Sequence, residues 1–342
     1  MSRYVRILAV LSLLVIVSTV FAQTRFNEIK ERGELRCGVN NTLAGFGIVD
    51  ASGEYVGFDV DFCRAIAAAV FGDPNAVVFR PLTAGERPTA LQSGEVDVLI
   101  RNTTRTSSRE SDWGANFSPT TYYDGQGFQV RRDSGISSLQ DFEGRSICVQ
   151  SGTTTETNLG TTMARLGVEF TPVIFETAPV LIAAYEDGQC DGWTTDYSGL
   201  IAMQGTLAVP SDHVNLTTLI SKEPLGPSVL HGDDVWKDIV DWTVYALFNA
   251  DEYGVTQANV DEMLVSAADP QVLRMLGAPG STSYVEGLGL PADAFYNAIK
   301  AVGNYGEIFE RHLGSGPNAL GMERGLNAQY YDGGLIFGFP FN

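Results

Sequence analysis

Apolar positions alternate between strand spacing and helix spacing along the first part of the chain. Extended apolar runs predict strands at 35–40, 77–81 and 96–100, and helical spacing predicts helices at 60–71 and 87–93. Asp59 stands directly before the first of these helices, where we expect it to act as the N-terminal cap. Strands separated by helices in this order predict a mainly parallel sheet with helices on its faces.

A second alternation of the same kind begins near Gly125. Its predicted strands lie at 127–131, 146–150, 173–175 and 190–195, and its predicted helices at 138–142 and 180–187. Thr153 and Glu156 have the spacing of a capping box, so a further helix should begin at Thr153. The prolines between 222 and 227 predict a rigid connection between domains, and a long helix at 234–249 opens a helical C-terminal region. The pattern therefore predicts an α/β protein with two domains.

The first 22 residues have the composition of a secretory signal peptide. Arg3 and Arg6 supply a basic start, an apolar run follows, and small residues precede a cleavage point after Ala22. The alternative is a transmembrane anchor, but the run is short for a bilayer span of about 20 residues. We therefore expect export to the periplasm, with residues 1–22 removed as the signal peptide.

The chain carries 22 Lys and Arg residues against 41 Asp and Glu residues, a formal net charge of −19. Nucleic-acid binding requires a basic surface, so we expect no nucleic-acid partner. The three histidines have no metal-ligand spacing, and no Walker loop, G-x-G-x-x-G or G-x-S-x-G motif is present. We therefore expect no metal, no cofactor and no catalytic residue.

Four cysteines in an exported chain indicate two disulfides, for which three pairings are possible. Cys37 lies on the first predicted strand, and Cys63 lies on the apolar face of the helix expected to pack on that strand. Cys148 and Cys190 lie on two later predicted strands. This placement favours the pairs Cys37–Cys63 and Cys148–Cys190, and four buried free thiols are the alternative.

Hydrogen-bonding side chains follow the apolar strand at 96–100. Asn102, Thr103 and Thr104 come directly after this strand, and Arg109 follows a few residues later. The carboxyl ends of buried strands open into a crevice, and Arg can bind both oxygens of a carboxylate. The segment therefore predicts a carboxylate site, although Arg109 by itself could be a solvated helix residue.

Two features of the second unit complement this arginine. The helix starting near Thr153 offers free backbone N–H groups and the positive end of its dipole, which suit a carboxylate. Asp196 follows the strand at 190–195 and offers an anion for an ammonium group, although it could instead cap the turn after it. Together the three features predict a site for a zwitterion, because both of its charges must be paired when they are buried.

Several segments of the chain from Glu31 onward match a known family in combination: GEYVGFDVDFCRAIAAAVFG, ALQSGEVDVL with TSSRE, YYDGQGF, VQSGTTTE, CDGWTTD and ISKEPLGP. The chain resembles the solute-binding proteins of polar amino-acid ABC importers, which are type II periplasmic binding proteins. NYGEIFER followed by RGLNA is similar to the general L-amino-acid-binding branch. The resemblance implies two α/β lobes with mixed sheets that close over one amino acid by a hinge motion. Lobe 1 would comprise 30–124 and 224–342, with a helical C-terminal extension, and lobe 2 would comprise 125–223.

The resemblance also implies roles for individual residues. It places the carboxylate-binding arginine at Arg109, the hydroxyl residue before it at Thr104, the second-lobe threonine at Thr154 and the ammonium-binding acid at Asp196. Further ligand contacts are expected from Asn102, Thr103, Thr153, Phe46 and Leu43. Leu43 stands where a stacking tyrosine is common, which argues against a pocket selective for cations. Arg105 stands where an aromatic residue is expected, and it could face either the ligand or solvent.

These features predict a monomeric periplasmic protein that captures L-amino acids and delivers them to a membrane-embedded ABC permease. An enzyme on the same fold, such as a periplasmic dehydratase acting on a cyclic amino-acid precursor, is the alternative. That enzyme would need a proton donor in the cleft, for which Glu156, Asp196 and a histidine are the candidates. A sensor ectodomain is less favoured, because no anchor or signalling domain follows Asn342.

Overall fold

The computed structural model describes residues 25–283 and 285–342. The predicted signal peptide, 1–22, lies outside these residues. The described chain forms two five-stranded mixed sheets flanked by helices, as the resemblance implied, together with a small three-stranded sheet and a two-stranded connection. Among the described helices, none is both long enough and apolar enough to cross a bilayer.

The strands are β1 Leu35–Val39, β2 Thr42–Leu43, β3 Gly47–Val49, β4 Tyr55–Val56, β5 Val77–Pro81, β6 Val98–Leu99, β7 Ala115–Phe117, β8 Tyr122–Asp124, β9 Gln126–Arg131, β10 Ser146–Gln150, β11 Thr171–Phe175, β12 Gly192–Asp196, β13 His213–Asn215, β14 Glu223–Leu225 and β15 Ser228–Leu230. The helices are α1 Arg25–Arg32, α2 Phe58–Phe71, α3 Arg87–Gln92, α4 Ser107–Asp112, α5 Thr154–Leu166, α6 Ala178–Glu186, α7 Tyr197–Gln204, α8 Asp234–Glu252, α9 Val260–Ser266, α10 Pro270–Leu276, α11 Ala294–Val302 and α12 Tyr305–His312.

The first sheet has the strand order β5-β1-β6-β15-β7. Strand β1 runs parallel to β5 and β6, whereas β15 is antiparallel to both of its neighbours. Helix α2 packs on β1, and Cys37 of the strand forms a disulfide with Cys63 of the helix. Both cysteines are fully buried, and this predicted pairing is confirmed.

The second sheet has the order β11-β10-β12-β9-β13. Strand β10 is parallel to β11 and β12, and β9 is antiparallel to β12 and β13. Cys148 of β10 forms a disulfide with Cys190, which lies just before β12, so the second predicted pairing is also confirmed. Helices α5 and α6 pack against β10, which brings their N-termini to the carboxyl edge of the parallel strands.

Two short strands connect the sheets. Strands β8 and β14 pair in antiparallel orientation and place Asp124 opposite Glu223. The chain enters the second sheet after β8 and returns through β14 to β15 of the first sheet. Thr104 forms an isolated bridge with Leu225, so the segment after β6 also reaches this connection. The connection therefore brings two acids and a predicted site residue together.

The C-terminal region is helical as far as His312 and shares its core with the first sheet. Helix α11 packs along α2, and α12 packs against α2 and α8. Tyr305 and Phe309 of α12 are fully buried, and the Tyr305 hydroxyl donates to the Thr121 carbonyl at 3.0 Å. Burial of these apolar helix faces stabilises the extension as part of the first α/β unit.

The predicted cap of helix α2 is wrong. The helix begins at Phe58 with Gly57 as its cap residue, so Asp59 lies within the first turn. The Asp59 carboxylate instead accepts a hydrogen bond from the backbone N–H of Asn102 at 2.7 Å. The cap position has a φ of +145°, and an added Cβ there would lie 2.2 Å from the Phe46 carbonyl oxygen. Only glycine therefore fits at the start of this helix.

Candidate functional site

Arg109 lies in helix α4, shortly after strand β6 of the first sheet. Its side chain is 5% exposed, and its guanidinium lies 4.9 Å from the centre of the Trp113 ring. Its Nη1 donates to the Thr104 carbonyl at 2.7 Å. Burial lowers the pKa of Arg109, and two nearby carboxylates oppose this effect. The predicted carboxylate-binding arginine is therefore buried beside negative charge.

Asn102 forms the turn that follows β6. Its φ is +35°, a region in which Asn is found more often than most residues. Its Oδ1 accepts hydrogen bonds from Asn40 Nδ2 at 3.2 Å and from Arg101 Nη1 at 3.4 Å, while its backbone N–H donates to Asp59. These bonds hold the loop in one conformation at the carboxyl end of the first sheet.

The N-terminus of helix α5 is capped largely as the sequence predicts. The Thr153 hydroxyl accepts from the Glu156 backbone N–H at 3.1 Å and donates to the Gln150 carbonyl at 2.6 Å. The Glu156 carboxylate accepts from the Gly152 N–H at 3.0 Å. Thr153 and Glu156 therefore cap the N-terminus of the helix. Thr154 instead donates to Glu223 in the connection between the sheets.

Asp196 lies at the end of strand β12, as the sequence predicts, and directly precedes helix α7. Its side chain is almost fully buried, with a relative exposure of 8%, and within the described residues no donor lies at hydrogen-bonding distance from its carboxylate. Burial raises its pKa well above the usual range, and repulsion from Asp124 and Glu223 adds to this. Arg109 and Arg87 act in the opposite direction. A buried acid without hydrogen-bond donors can accept a cation at low desolvation cost to the acid.

Glu223 of strand β14 is the acceptor on which both predicted threonines converge. Its Oε2 accepts from the Thr104 hydroxyl at 2.7 Å and from the Thr154 hydroxyl at 2.8 Å. Its Oε1 accepts from Asn158 Nδ2 at 2.8 Å and from the Ser221 hydroxyl. Glu223 was absent from the predicted site, although an acid within the Pro-punctuated connection could have suggested it.

The donor direction at these threonines follows from the chemistry of the carboxylate. A carboxylate only accepts hydrogen bonds, and each hydroxyl has one proton to donate. With their protons directed at Glu223, Thr104 and Thr154 can offer only lone pairs to any further group. Their oxygens lie 3.4 Å apart across the two units. In this arrangement they suit a donor such as an ammonium better than a carboxylate.

A cavity of about 350 Å³ lies between the two sheets. Of the predicted site residues, Leu43, Asn102 and Asp196 line it. Thr104, Thr154, Thr153 and Arg109 are not among its lining residues; they lie in the hydrogen-bonded network described above. The remaining walls come from both units: Asn40, Asn41, Thr42, Pro81, Leu82, Thr83, Glu86 and Arg101 of the first, and Gln150, Thr177, Ala178, Pro179, Thr195, Gly199 and Met203 of the second.

Phe46 and Thr103, for which ligand contacts are predicted, do not line this cavity. Phe46 has no exposed surface, because its ring packs against Phe58 and Tyr122 with centroid distances of 6.0 and 5.3 Å. Thr103 is also fully buried, and its hydroxyl donates to the Arg101 carbonyl at 2.9 Å. The resemblance placed both near the ligand, but the fold directs Phe46 into the aromatic core and Thr103 into the loop interior.

Two buried arginines, Arg87 and Arg101, were missed by the sequence reasoning. Arg87 donates through Nε to the Ala84 carbonyl at 2.9 Å and through Nη2 to the Gly152 carbonyl at 3.0 Å, which joins the two units. Arg101 follows β6 and lines the cavity. The pattern of apolar and polar positions in the sequence does not distinguish a buried arginine from one at the surface. By contrast, Arg105 pairs at the surface with Glu110 at 2.7 Å, which fits the solvent-facing alternative.

The proton donors considered for an enzyme are not gathered in the cavity. Of Glu156, Asp196 and the histidines, only Asp196 lines it. His213 Nδ1 lies 2.8 Å from the Tyr185 hydroxyl, and His312 Nε2 lies 2.7 Å from Asp61. In the part of the chain that the structure describes, no group of three or more His, Cys, Asp or Glu residues could hold a metal ion.

Comparison with known proteins gives several close relatives. The general L-amino acid-binding periplasmic protein AapJ of Rhizobium johnstonii is 51% identical, over 96% of each chain. The glutamate/glutamine/aspartate/asparagine-binding protein BztA of Rhodobacter capsulatus is 46% identical, over 96% of this chain and 97% of its own. A periplasmic binding protein of an ABC transporter from Brucella ovis, solved with glutathione bound, is 52% identical with a TM-score of 0.89, over 93% of this chain and 99% of its own.

These relatives are named as binding proteins and not as enzymes. The family model described as bacterial extracellular solute-binding proteins, family 3, matches residues 35–274. That range includes both disulfides, the connection between the sheets and every residue of the site discussed above. The chain therefore belongs to the bacterial extracellular solute-binding proteins of family 3.

Proposed function

We propose that this protein binds L-amino acids in the cavity between its two sheets and delivers them to the permease of an ABC importer. The observation that carries the proposal is Asp196, a buried carboxylate on the cavity wall that receives no hydrogen bond from the described residues. A ligand ammonium would provide the missing countercharge. The names of AapJ and BztA support amino acids as the ligand class.

In this proposal the predicted residues act at the two ends of the ligand. Asp196 binds the ammonium, and Thr104 and Thr154 accept hydrogen bonds from it while they donate to Glu223. Arg109 attracts the α-carboxylate, with Asn102 and Leu43 forming the wall on the first-sheet side. Separation of Thr104 from Thr154 would open the cleft and give a ligand access to Arg109.

The proposed lobes follow the connection between the sheets. Residues 30–124 and 224–342 form lobe 1 and residues 125–223 form lobe 2, with β8 and β14 as the hinge. The Arg87–Gly152 and Thr104–Thr154 contacts would be made only when the lobes are closed. We further propose that the chain works as a monomer in the periplasm after removal of 1–22.

Calorimetry tests this proposal. The chain starting at Gln23 is unfolded and refolded to remove copurified ligand, then titrated with a panel of L-amino acids and with the D-enantiomers of those that bind. Saturable binding of L-amino acids, with weaker binding of the D-forms, is the expected result. Absence of binding across the panel would contradict the proposal.

A short peptide is a second candidate ligand. The cavity of about 350 Å³ reaches the size range of sites for molecules larger than one amino acid. The Brucella ovis relative was solved with glutathione bound. Reduced glutathione therefore belongs in the same panel, and tighter binding of glutathione than of any free amino acid would favour this candidate.

A further inference from the structure

Arg101 is a buried cation on the cavity wall to which the sequence reasoning gave no role. It follows strand β6, and its relative exposure is 6%. It lines the same cavity as Asp196, so a basic group of the first unit and an acidic group of the second face one space. An arginine this deeply buried requires either a countercharge or a structural purpose.

The guanidinium of Arg101 is held in position by the protein. Its Nε donates to the Leu82 carbonyl at 2.8 Å, and its Nη1 donates to Asn102 Oδ1 at 3.4 Å. Among the described residues no acceptor is found for Nη2. The bonds from Nε and Nη1 fix the plane of the guanidinium, and Nη2 is left to donate to an anion in the cavity.

The protein leaves the charge of Arg101 without a contact partner. No carboxylate of the described residues lies within 4.0 Å of its guanidinium. Three acids, Asp59, Asp196 and Glu86, attract it over a longer range, and Arg109 repels it. The Asp59 carboxylate is already bonded to the Asn102 backbone. Burial lowers the pKa of Arg101 to about 10, so the group stays charged at neutral pH.

We propose that Arg101 binds a second carboxylate of the ligand and thereby selects ligands that carry one. The inference rests on the proposed function, in which Asp196 binds the ammonium and Arg109 the α-carboxylate. Arg101, which lines the cavity whereas Arg109 does not, then binds a further anionic group. That group can be the side-chain carboxylate of an acidic amino acid or the terminal carboxylate of a short peptide joined through its side chain.

The charges of the site agree with this assignment. Arg87 is also buried, but its Nε, Nη1 and Nη2 all donate to oxygens of the protein. The other two buried arginines, Arg101 and Arg109, and one unpartnered acid, Asp196, complement a ligand with two carboxylates and one ammonium. Glu223 does not enter this balance as a free anion, because four donors already bond to it. Glu86 lines the cavity from an exposed position, and its carboxylate accepts from the Thr83 backbone N–H at 2.7 Å.

Isosteric ligands test the proposal on the unmodified protein. L-glutamate carries a side-chain carboxylate where L-glutamine carries a neutral amide of the same shape. Calorimetry at pH 7 therefore compares the affinity for a ligand that offers Arg101 a carboxylate with the affinity for one that offers it an amide. We expect L-glutamate to bind about tenfold more tightly than L-glutamine. Reduced glutathione, titrated in parallel, distinguishes a peptide source of the second carboxylate from a side-chain source. Equal or weaker binding of both acidic ligands relative to L-glutamine would overturn the proposal.

The variant Arg101→Gln tests whether Arg101 causes the preference for acidic ligands. We expect it to weaken binding of the acidic ligand at least about tenfold while L-alanine changes by less than about threefold. Equal losses for L-glutamate and L-alanine would place the α-carboxylate at Arg101 and overturn the proposal. The control is Arg105→Gln, which removes an arginine of the same loop that is 51% exposed and paired with Glu110.

Further measurements show whether a lost preference comes from misfolding of the variant, from failure of the proposed function or from failure of this inference alone. Unfolding temperature and L-alanine binding report whether Arg101→Gln is folded. If it is not, Arg101→Lys keeps the charge but lacks the planar guanidinium, and we expect it to reduce the preference for L-glutamate over L-glutamine. An undiminished preference in Arg101→Lys would count against the proposal. If the unmodified protein binds no amino acid and no glutathione, the proposed function fails. If it binds neutral amino acids without preferring an acid, only the inference fails.

Discussion

The Thr154 hydroxyl donates a hydrogen bond of 2.8 Å to the Glu223 carboxylate, which joins helix α5 of the second unit to strand β14 of the connection. Thr104 of the first unit donates to the same carboxylate oxygen at 2.7 Å. One buried acid thus orients a side chain from each side of the cleft. Glu223, which lies in the proposed hinge, therefore holds Thr104 and Thr154, two residues for which ligand contacts are predicted.

Replacement of Glu223 should weaken both the fold and the site. Glu223→Gln places an N–H₂ group where one carboxylate oxygen accepts hydroxyl protons, so a buried donor then faces donors. We expect the free energy of unfolding to fall by about 1–3 kcal/mol and ligand affinity to fall about tenfold. Urea denaturation and calorimetry measure the two effects. Glu110→Gln, at an exposed ion pair, is the matched control and should change neither by much.

Asp196→Asn should remove most of the ligand affinity. An amide cannot neutralise a buried ammonium, and loss of one partner of a buried ion pair costs about 3–5 kcal/mol, or more than 100-fold in Kd. The protein itself should be no less stable, because burial disfavours the ionised acid. Calorimetry measures the affinity, and Asp187→Asn, an exposed acid at the end of helix α6, is the control. Unchanged affinity in Asp196→Asn would remove this residue from the site.

The acid Asp59 should make stability fall with rising pH. Burial raises its pKa in the folded protein to about 7 from an ordinary value of 3.8. Between these values the folded state binds more protons than the unfolded state, so stability is highest below about pH 4 for this group and is lost as pH rises through 7. Asp59→Asn should flatten the profile of unfolding free energy between pH 4 and 7 and raise stability at pH 8 by about 2 kcal/mol or more.

The contrasting control for this profile is Asp141. Hydrogen bonds from Ser137 and Ser138 lower its pKa to about 2 from 3.8. Its contribution is therefore present above the unfolded pKa and is lost as pH falls toward 2. Asp141→Asn should leave the slope between pH 5 and 8 unchanged. An unchanged slope in Asp59→Asn as well would show that this buried carboxyl does not titrate in the range.

Gly57→Ala should be strongly destabilising. Residue 57 has a φ of +145°, and a Cβ there would lie 2.2 Å from the Phe46 carbonyl oxygen, which is rigid backbone. We expect a loss of about 3 kcal/mol or more in unfolding free energy from strain and displacement of β3. Gly53→Ala is the matched control, since its φ of +88° is also positive but nothing lies within 4 Å of the added Cβ. It should cost about 1 kcal/mol.

The α/β architecture and both disulfides could be predicted from the sequence because they depend on local pattern. Strand and helix periodicity is a property of neighbouring residues, and Cys37 and Cys63 lie on the first strand of the sheet and on the helix that packs on that strand. The cap at Thr153 could be predicted for the same reason, since its partner Glu156 is three residues away. The negative net charge argued against nucleic-acid binding, and the missing motifs argued against metal, cofactor and catalytic sites.

The cap at Asp59 was mispredicted because a tertiary contact overrode a local preference. Asp is a good cap in isolation, but the backbone of Asn102, distant in sequence, supplied a donor for its carboxylate. The burial of Phe46 could not be predicted for a similar reason, since its neighbours Phe58 and Tyr122 come together only in the folded core.

The sequence by itself determined the two α/β units, their disulfides and the types of residue at the strand ends. Only the tertiary structure decided which of those residues share a space: Leu43, Asn102 and Asp196 line the cavity together with the unpredicted Arg101. It also decided that Glu223 controls the direction of the threonine protons. The physical reason is that hydrogen-bond direction, burial and the pairing of charges depend on groups far apart in the chain, which periodicity and spacing do not encode.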